Sequence, residues 1–454
     1  MAERAPEFLD DDVPSVVRGP RAARTPTPAA TPRVREVTRT SPLARIFAGV
    51  DIYLVIVVFT LLSISMMMVY STTFDWGFQE FNNRAFFLVR HAQTTAVGVV
   101  AMLIFSFVDY RLLRRFALPA LLVVIGALTA VLLFGDDAFG ARRGLIGGRF
   151  QPGEAAQLVT VIYMAAWLSA KRTKIRSVTY GLIPFSVLLG IVGGLVIAQP
   201  DLSTVAIIFI TAGLMYFLAG ANLWHLLFAG AGISAAGVAV VQVFSYTQDR
   251  IATYFSGIAD LTQTNYHVQQ AILAFIRGGW TGVGLGAGRQ KFGYLPAPHT
   301  DSIFASIGEE MGVLGALFVL VLYGVFVYRG FRIATRSTDA FGALLAVGVT
   351  IWLVSQALLN IAVMTAVLPS TGVPLPLISY GGSSMTALLT GVGIMMSVSR
   401  VAARQRANPE RRTEPRSERR DENRARHDRS RGNGGPRVPR PSRRGSRQHL
   451  SPGK

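Results

Sequence analysis

The chain has 454 residues, of which 51% are hydrophobic and only 16% charged, and its formal charge is +19. That balance excludes a soluble globular protein of this length and points to the membrane class. Cysteine is absent, which excludes a disulfide framework, a thiolate nucleophile and a cysteine metal site together.

Crossing a hydrocarbon layer about 30 Å thick takes about 20 apolar helical residues. Ten such stretches are predicted, at 47–70, 86–108, 111–134, 155–170, 178–198, 202–219, 222–245, 302–328, 340–367 and 383–399. Runs such as "LLVVIGALTAVLLF" do not alternate, which argues against a β-barrel. The expected fold is an all-α integral membrane protein of ten transmembrane helices, with a large extracytoplasmic loop between spans seven and eight. No apolar leader precedes span one, so no cleavable signal peptide is expected.

Residues 1–45 and 401–454 contain too few apolar side chains to bury a core and are expected to be disordered tails around a membrane domain at 46–400. The second tail holds 17 Lys and Arg against 6 Asp and Glu, a net +11. Such a tail favours anionic lipid or an acidic partner at the inner leaflet, or serves as a solvated topology anchor. It lacks interleaved aromatics, so nucleic acid is not expected.

Short loops rich in Lys and Arg stay inside. Arg111, Arg114 and Arg115 follow span two, Lys171, Arg172, Lys174 and Arg176 follow span four, and Arg329, Arg332 and Arg336 follow span eight. Both termini are therefore expected to be cytoplasmic. Arg142, Arg143 and Arg149, after span three, break the trend on the outer side and are candidates for binding an anion.

With that orientation the irregular connections "GARRGLIGGRFQPGE", "QPDLS", 246–301 and "LPSTGVPLPLISYGGSS" all face outward. Irregular backbone near a bilayer needs protein or a water-filled cavity around it, so the four are expected to surround one outward-open cavity. Glu154 and Asp201 open spans four and six, as helix caps or as site acids. Within 246–301, "YHVQQAILAFIRGG" is predicted to be an amphipathic helix lying at the outer interface. The glycines of "GVGLGAGRQK", followed by Arg289 and Lys291, form either a flexible turn or an anion-binding nest.

Asp301 stands at the mouth of span eight in "PHTDSIFASIGEE". Thr300 or Asp301 is a candidate N-cap, and the Asp301 carboxylate is also placed to take a substrate proton. Glu309 and Glu310 lie roughly 12–14 Å further along the helix, where a charge needs a partner or a cavity. Pro374 and Pro376 stiffen the approach to Gly381 and Gly382, whose bare backbone admits a ligand. Ser379, Ser383 and Ser384 could donate to sugar or phosphate oxygens.

"YLPAPHTDSIFASIGEEMG", "NIAVMTAVLPSTGVPLPLISYGGSSM", "GARR…QPGE" and "QPDLST", among ten spans, resemble the SEDS family of shape, elongation, division and sporulation proteins (FtsW, RodA, SpoVE) over residues 47–400. The resemblance implies a peptidoglycan glycosyltransferase that polymerises lipid II onto an undecaprenyl-linked glycan strand at the outer face of the bacterial cytoplasmic membrane. It also implies a class B penicillin-binding transpeptidase as partner. The wording "LPAPHTDSIFA" and the long tails look more like the division branch, which implies the septum and other divisome proteins.

Asp301 occupies the position of the family's essential aspartate and would act as general base. Arg142, Arg143, Arg289 and Lys291 are candidates to stabilise the pyrophosphate leaving group, with Glu154, Asp201, Gln270, His299 and the loop glycines and serines around the substrate and Thr300 in support. A divalent cation, Mg or Mn, suits pyrophosphate and carboxylate oxygens, though no ligand cluster marks a site. Gln157 stands where the family commonly has lysine, and His267 where glutamine is frequent; Arg149 or Lys291 could substitute for that lysine. A lipid II flippase, an elongation-type polymerase and a scaffold are the rival readings.

Overall fold

In the computed structural model, helices occupy all ten segments that hydropathy marks as apolar. The structure describes residues 49–138, 141–144, 151–171, 174–243, 245–260 and 263–407. Both terminal tails beyond these limits, and Arg149, lie outside the described residues.

Helices α1 (Ile52–Phe81), α2 (Phe86–Phe107) and α3 (Arg111–Phe134) precede an antiparallel hairpin, β1 (Asp136–Ala138) and β2 (Ala141–Gly144). Then come α4 (Pro152–Ala170), a π turn (Val178–Leu182) opening α5 (Ile183–Ile197), α6 (Leu202–Leu218) and α7 (Leu223–Val243). The predicted long loop holds two helices, α8 (Ser245–Ala259) and α9 (Tyr266–Gly278), before α10 (Ile303–Arg336), α11 (Ala340–Met364) and α12 (Gly382–Ala407). Among the described residues seven segments are long and apolar enough to cross a bilayer, α5 being counted with its π turn. Helices α4, α6 and α7 fill the other three predicted stretches, α6 and the first half of α7 being shorter apolar helices.

Several helices outrun their predicted ends. The 30 residues of α1 reach about 45 Å at 1.5 Å each, more than the thickness of a hydrocarbon layer. The helix stops at Asn82, which adopts the left-handed conformation at φ 50° that asparagine tolerates. Helix α12 continues past residue 400 to Ala407, because Arg400 donates to the Phe107 carbonyl and Arg406 to the Arg336 carbonyl. Those partners lie on other helices, so local polarity alone did not reveal the extension.

Helix α9 forms where expected, but it does not lie flat. His267 bonds Ser302 at the top of α10, whereas Gly278 abuts the backbone of Gly308 and Glu309 lower down. The helix therefore descends beside α10, with Val268, Ala271, Ala274 and Gly278 forming its buried face. Small residues let the two backbones approach closely. An amphipathic pattern reports only that one face is covered, and here α10 covers it.

Candidate active site

Helix α10 begins at Ile303, and Ser302 before it makes no side-chain cap bond. Neither Thr300 nor Asp301 is the N-cap. Asp301 is half-buried, and a side chain starting at Gly372 would begin 3.4 Å from its Oδ2. The backbone around the carboxylate is pinned from several directions. Tyr380 N–H donates to the His299 carbonyl at 2.9 Å, Ser379 Oγ to the Thr300 carbonyl at 2.6 Å, and Asn360 Nδ2 to the Asp301 carbonyl at 2.7 Å. On the near side, Ser302 donates to the Pro296 carbonyl at 2.6 Å. Its hydroxyl proton is thereby spent, so the His267 bond to the same oxygen must come from Nε2–H.

These bonds staple the 296–302 turn to the loop between α11 and α12. Both segments hold non-glycine residues in the left-handed region, Ala297 at φ 46°, Ala366 at φ 60° and Leu377 at φ 63°. Such conformations persist only where surroundings over-determine them, and they cluster at functional sites. Pro376 accepts from the Tyr323 hydroxyl at 2.5 Å, and Asn360 reaches the Val373 carbonyl at 2.7 Å. Pro374, Gly381, Gly382 and Ser383 are half-buried along the same loop and the start of α12. The Ser379 hydroxyl, expected to meet substrate, is buried, donating to Thr300 and accepting from Leu375 N–H at 2.8 Å. Its position makes it a brace.

The loop's far end meets the second pair of acids. Ser384, in the first turn of α12, hydrogen-bonds the buried Glu154 of α4, with Asp201 close enough to be felt electrostatically. Asp201 caps α6, accepting from Thr204 N–H at 3.2 Å and Thr204 Oγ1 at 2.8 Å. Glu154 keeps one carboxylate oxygen, Oε2, buried without a hydrogen-bond partner. Among the described residues, no three His, Asp or Glu side chains gather as a metal site.

His299 sits in an aromatic box, its ring centroid 5.2 Å from Trp76 and 5.7 Å from Tyr380. Burial lowers its pKa to about 4, so the ring is neutral near pH 7. Gln270 is half-buried on α9.

The glycine-rich nest already holds its anions. Glu309 accepts from Arg289 N–H at 2.9 Å and Gln290 N–H at 3.2 Å, and Glu310 from Gly286 N–H at 3.0 Å. Glu310 also accepts from Ser71 Oγ at 2.6 Å and from Lys291 Nζ at 2.7 Å. The α10 helix breaks here at Gly312 (φ 69°, ψ −172°), and the 279–284 chain pairs with the opened backbone through Val283 N–H to Glu309 O (3.0 Å) and Val313 N–H to Gly279 O (2.9 Å). The two glutamates thus satisfy irregular backbone at a depth where water is scarce. This corrects the expectation for Lys291. Its ammonium is buried against Glu310, roughly 13 Å along α10 from Asp301, and does not face an anion at the mouth. Arg289 is exposed beside the same nest. Arg142 and Arg143 lie on β2, next to α3 and α4, with side chains outside the described part.

One cation beside the loop that faces Asp301 was not flagged by the sequence. Arg250 of α8 donates to the Ser370 carbonyl at 2.8 Å, and its charge is felt by His267. No glycine, proline or neighbouring motif marks "SYTQDRIATYF". Asn360 was also missed, although a lone amide inside "LLNIAVM" was a usable signal, since a polar group in an apolar span needs a partner.

The cell cycle protein family of FtsW, RodA and SpoVE matches residues 52–404. The chain belongs to this family. It is 36% identical to stage V sporulation protein E of Bacillus subtilis, covering 77% of this chain and 97% of that one. It is 35% identical to the probable peptidoglycan glycosyltransferase FtsW of Trichlorobacter lovleyi, covering 78% and 93%. Among solved structures it resembles the rod shape determining protein RodA of Thermus thermophilus (26% identity, TM-score 0.58, 77% and 97% covered). It also resembles a chain from the structure of a peptidoglycan synthase complex that coordinates polymerization and crosslinking (25%, TM-score 0.64, 78% and 98%).

In this FtsW, RodA and SpoVE family member, Gln157, at the position where the resemblance implies a lysine, is buried without a charge. Its amide accepts from Trp352 Nε1 at 2.5 Å and lies 3.4 Å from Thr204 Oγ1. All its partners are neutral. His267, where the resemblance implies a glutamine, supplies a donor to Ser302.

Proposed function

We propose that this protein is a peptidoglycan glycosyltransferase that polymerises lipid II at the outer face of the cytoplasmic membrane, with Asp301 as general base. Asp301 takes the proton from the 4-hydroxyl of an incoming GlcNAc. That oxygen attacks the anomeric carbon of MurNAc on the growing strand, the bond to undecaprenyl pyrophosphate breaks, and the centre inverts to a β-1,4 linkage. The observation that carries this reading is the staple around residues 299–301: three side-chain or backbone donors fix the main chain that presents the carboxylate at the mouth of α10. A positioned base within hydrogen-bond reach of the hydroxyl contributes about 10²–10⁴ in rate.

The pyrophosphate needs charge stabilisation as it leaves. Arg142 and Arg143 of the β-hairpin are the proposed donors, Lys291 having been withdrawn into its ion pair. The likeness to the FtsW proteins supports a role in septal wall synthesis, and the likeness to a synthase complex supports a class B penicillin-binding transpeptidase as partner.

The test incubates the purified full-length protein, with and without that transpeptidase, with labelled lipid II and separates the products on a gel. A glycan ladder from the wild type, lost in Asp301→Asn, is the expected result. Monomer under every condition would favour the flippase, and a full-rate Asp301→Asn would remove the base assignment.

A further inference from the structure

Two side chains of α8 reach across to the loop that carries Gly372. Arg250 Nη1 donates to the Ser370 carbonyl at 2.8 Å, and the Tyr254 hydroxyl donates to the Val367 carbonyl at 2.7 Å. The donors are four residues apart on a helix and so share one face. Their acceptors belong to a stretch without regular structure that begins at the left-handed Ala366. Two residues after Ser370 comes Gly372, where an added Cβ would lie 3.4 Å from Asp301 Oδ2, and the next carbonyl, Val373, is held by Asn360.

We propose that Arg250 and Tyr254 are positioning residues: a two-point clasp from α8 that fixes residues 367–370 and thereby sets the wall beside Asp301. The proposal rests on Asp301 being the reacting carboxylate. Arg250 also lies near enough to His267 to help lower its pKa, after burial, and His267 bonds Ser302 next to Asp301. Helix α8 is therefore bonded to the 366–381 loop on one flank of the carboxylate, and its Arg250 charge reaches His267 on the other. Neither clasp residue is required to touch substrate. A reacting group displaced by about 1 Å can lose on the order of 100-fold in rate, so the clasp acts on kcat.

The experiment measures kcat and KM for labelled lipid II with the full-length protein, together with hydrogen exchange of the 367–373 backbone, for Tyr254→Phe, Arg250→Ala, Arg250→Lys and Tyr254→Phe with Arg250→Ala. Tyr254→Phe removes one hydroxyl from a partly exposed side chain, and an unchanged melting temperature confirms its fold. Each of Tyr254→Phe and Arg250→Ala is expected to lower kcat about tenfold with KM within about twofold, and to speed exchange at 367–373. The double variant is expected to fall short of the product of the singles, because both act on one loop. Arg250→Lys, still a donor to a carbonyl, recovers most of kcat. A rise in KM at unchanged kcat would overturn the proposal and make Arg250 a direct contact to a substrate anion. Wild-type exchange at 367–373 in the variants would overturn it as well. The exchange readout is independent of the base assignment: an active Asp301→Asn with fast-exchanging clasp variants would remove the base and leave the clasp as a holder of the loop alone.

Discussion

Lys291 and Glu310 form an ion pair with N···O 2.7 Å and almost no side-chain exposure, its members 19 residues apart in sequence. Ser71 of α1 donates to the same carboxylate and the Gly286 carbonyl takes the ammonium, so three segments of chain meet at one charge. Removing one partner leaves the other buried and uncompensated. Glu310→Gln and Lys291→Met are each expected to cost about 3–5 kcal/mol, read as a fall in melting temperature in detergent. Lys291→Met combined with Glu310→Leu should recover part of that loss, and a double variant as unstable as the sum of the singles would contradict the pairing.

Gly312 takes up a conformation open essentially to glycine alone, and an added Cβ would strike the backbone of Trp280 and Gly282. Gly312→Ala is expected to cost at least about 1–3 kcal/mol through strain alone and to release the 279–293 chain. Limited proteolysis within that stretch checks it. Gly324, around which nothing lies close, is the control, and Gly324→Ala should leave stability intact or raise it.

Asn360 spans two carbonyls, Asp301 O and Val373 O, each at 2.7 Å. Asn360→Leu removes both bonds, one to a buried and one to a part-buried carbonyl, and an acceptor left unsatisfied in the interior costs about 1–3 kcal/mol. Polymerisation should fall by at least about tenfold as the site loosens, with Asn360→Gln intermediate. Full activity in Asn360→Leu would show that the bridge does not hold Asp301.

His299 supplies the pH test. Burial lowers its pKa from 6.5 to about 4, so between those values the unfolded chain binds the proton and the native site does not. Stability is therefore unaffected by this ring above pH 6.5, falls as the pH drops towards 4, and levels off below. His299→Gln should flatten that part of the melting profile. The same ring, already neutral, should contribute no activity step between pH 6 and 8, and a titration there that vanishes in His299→Gln would refute the assigned state.

Much of this molecule was readable from its residues. Hydropathy located all seven segments that are long and apolar enough to span among the described residues, because twenty consecutive apolar residues have one comfortable solvent, and the "HTD" turn, with its proline-stiffened approach, placed Asp301 at a helix mouth. The same reading went astray at "GVGLGAGRQK". Glycines followed by two cations do form a nest for anions, but the anions are Glu309 and Glu310 of the protein itself. Ser379 was misjudged and Arg250 missed for a related reason: their hydrogen-bond partners lie 79 and 120 positions away.

From sequence alone came the membrane class, the order of the helices and the carboxylate at the mouth, since each depends on neighbours along the chain or on a motif carried whole. Only the tertiary structure decided which charges are consumed within the fold. Lys291 and Arg250 read alike as basic residues in one long loop, yet the first is buried against Glu310 and the second braces the wall beside Asp301. The physical reason is that a charge in a low-dielectric setting takes its meaning from groups within a few ångströms, and those groups arrive only when distant segments fold together.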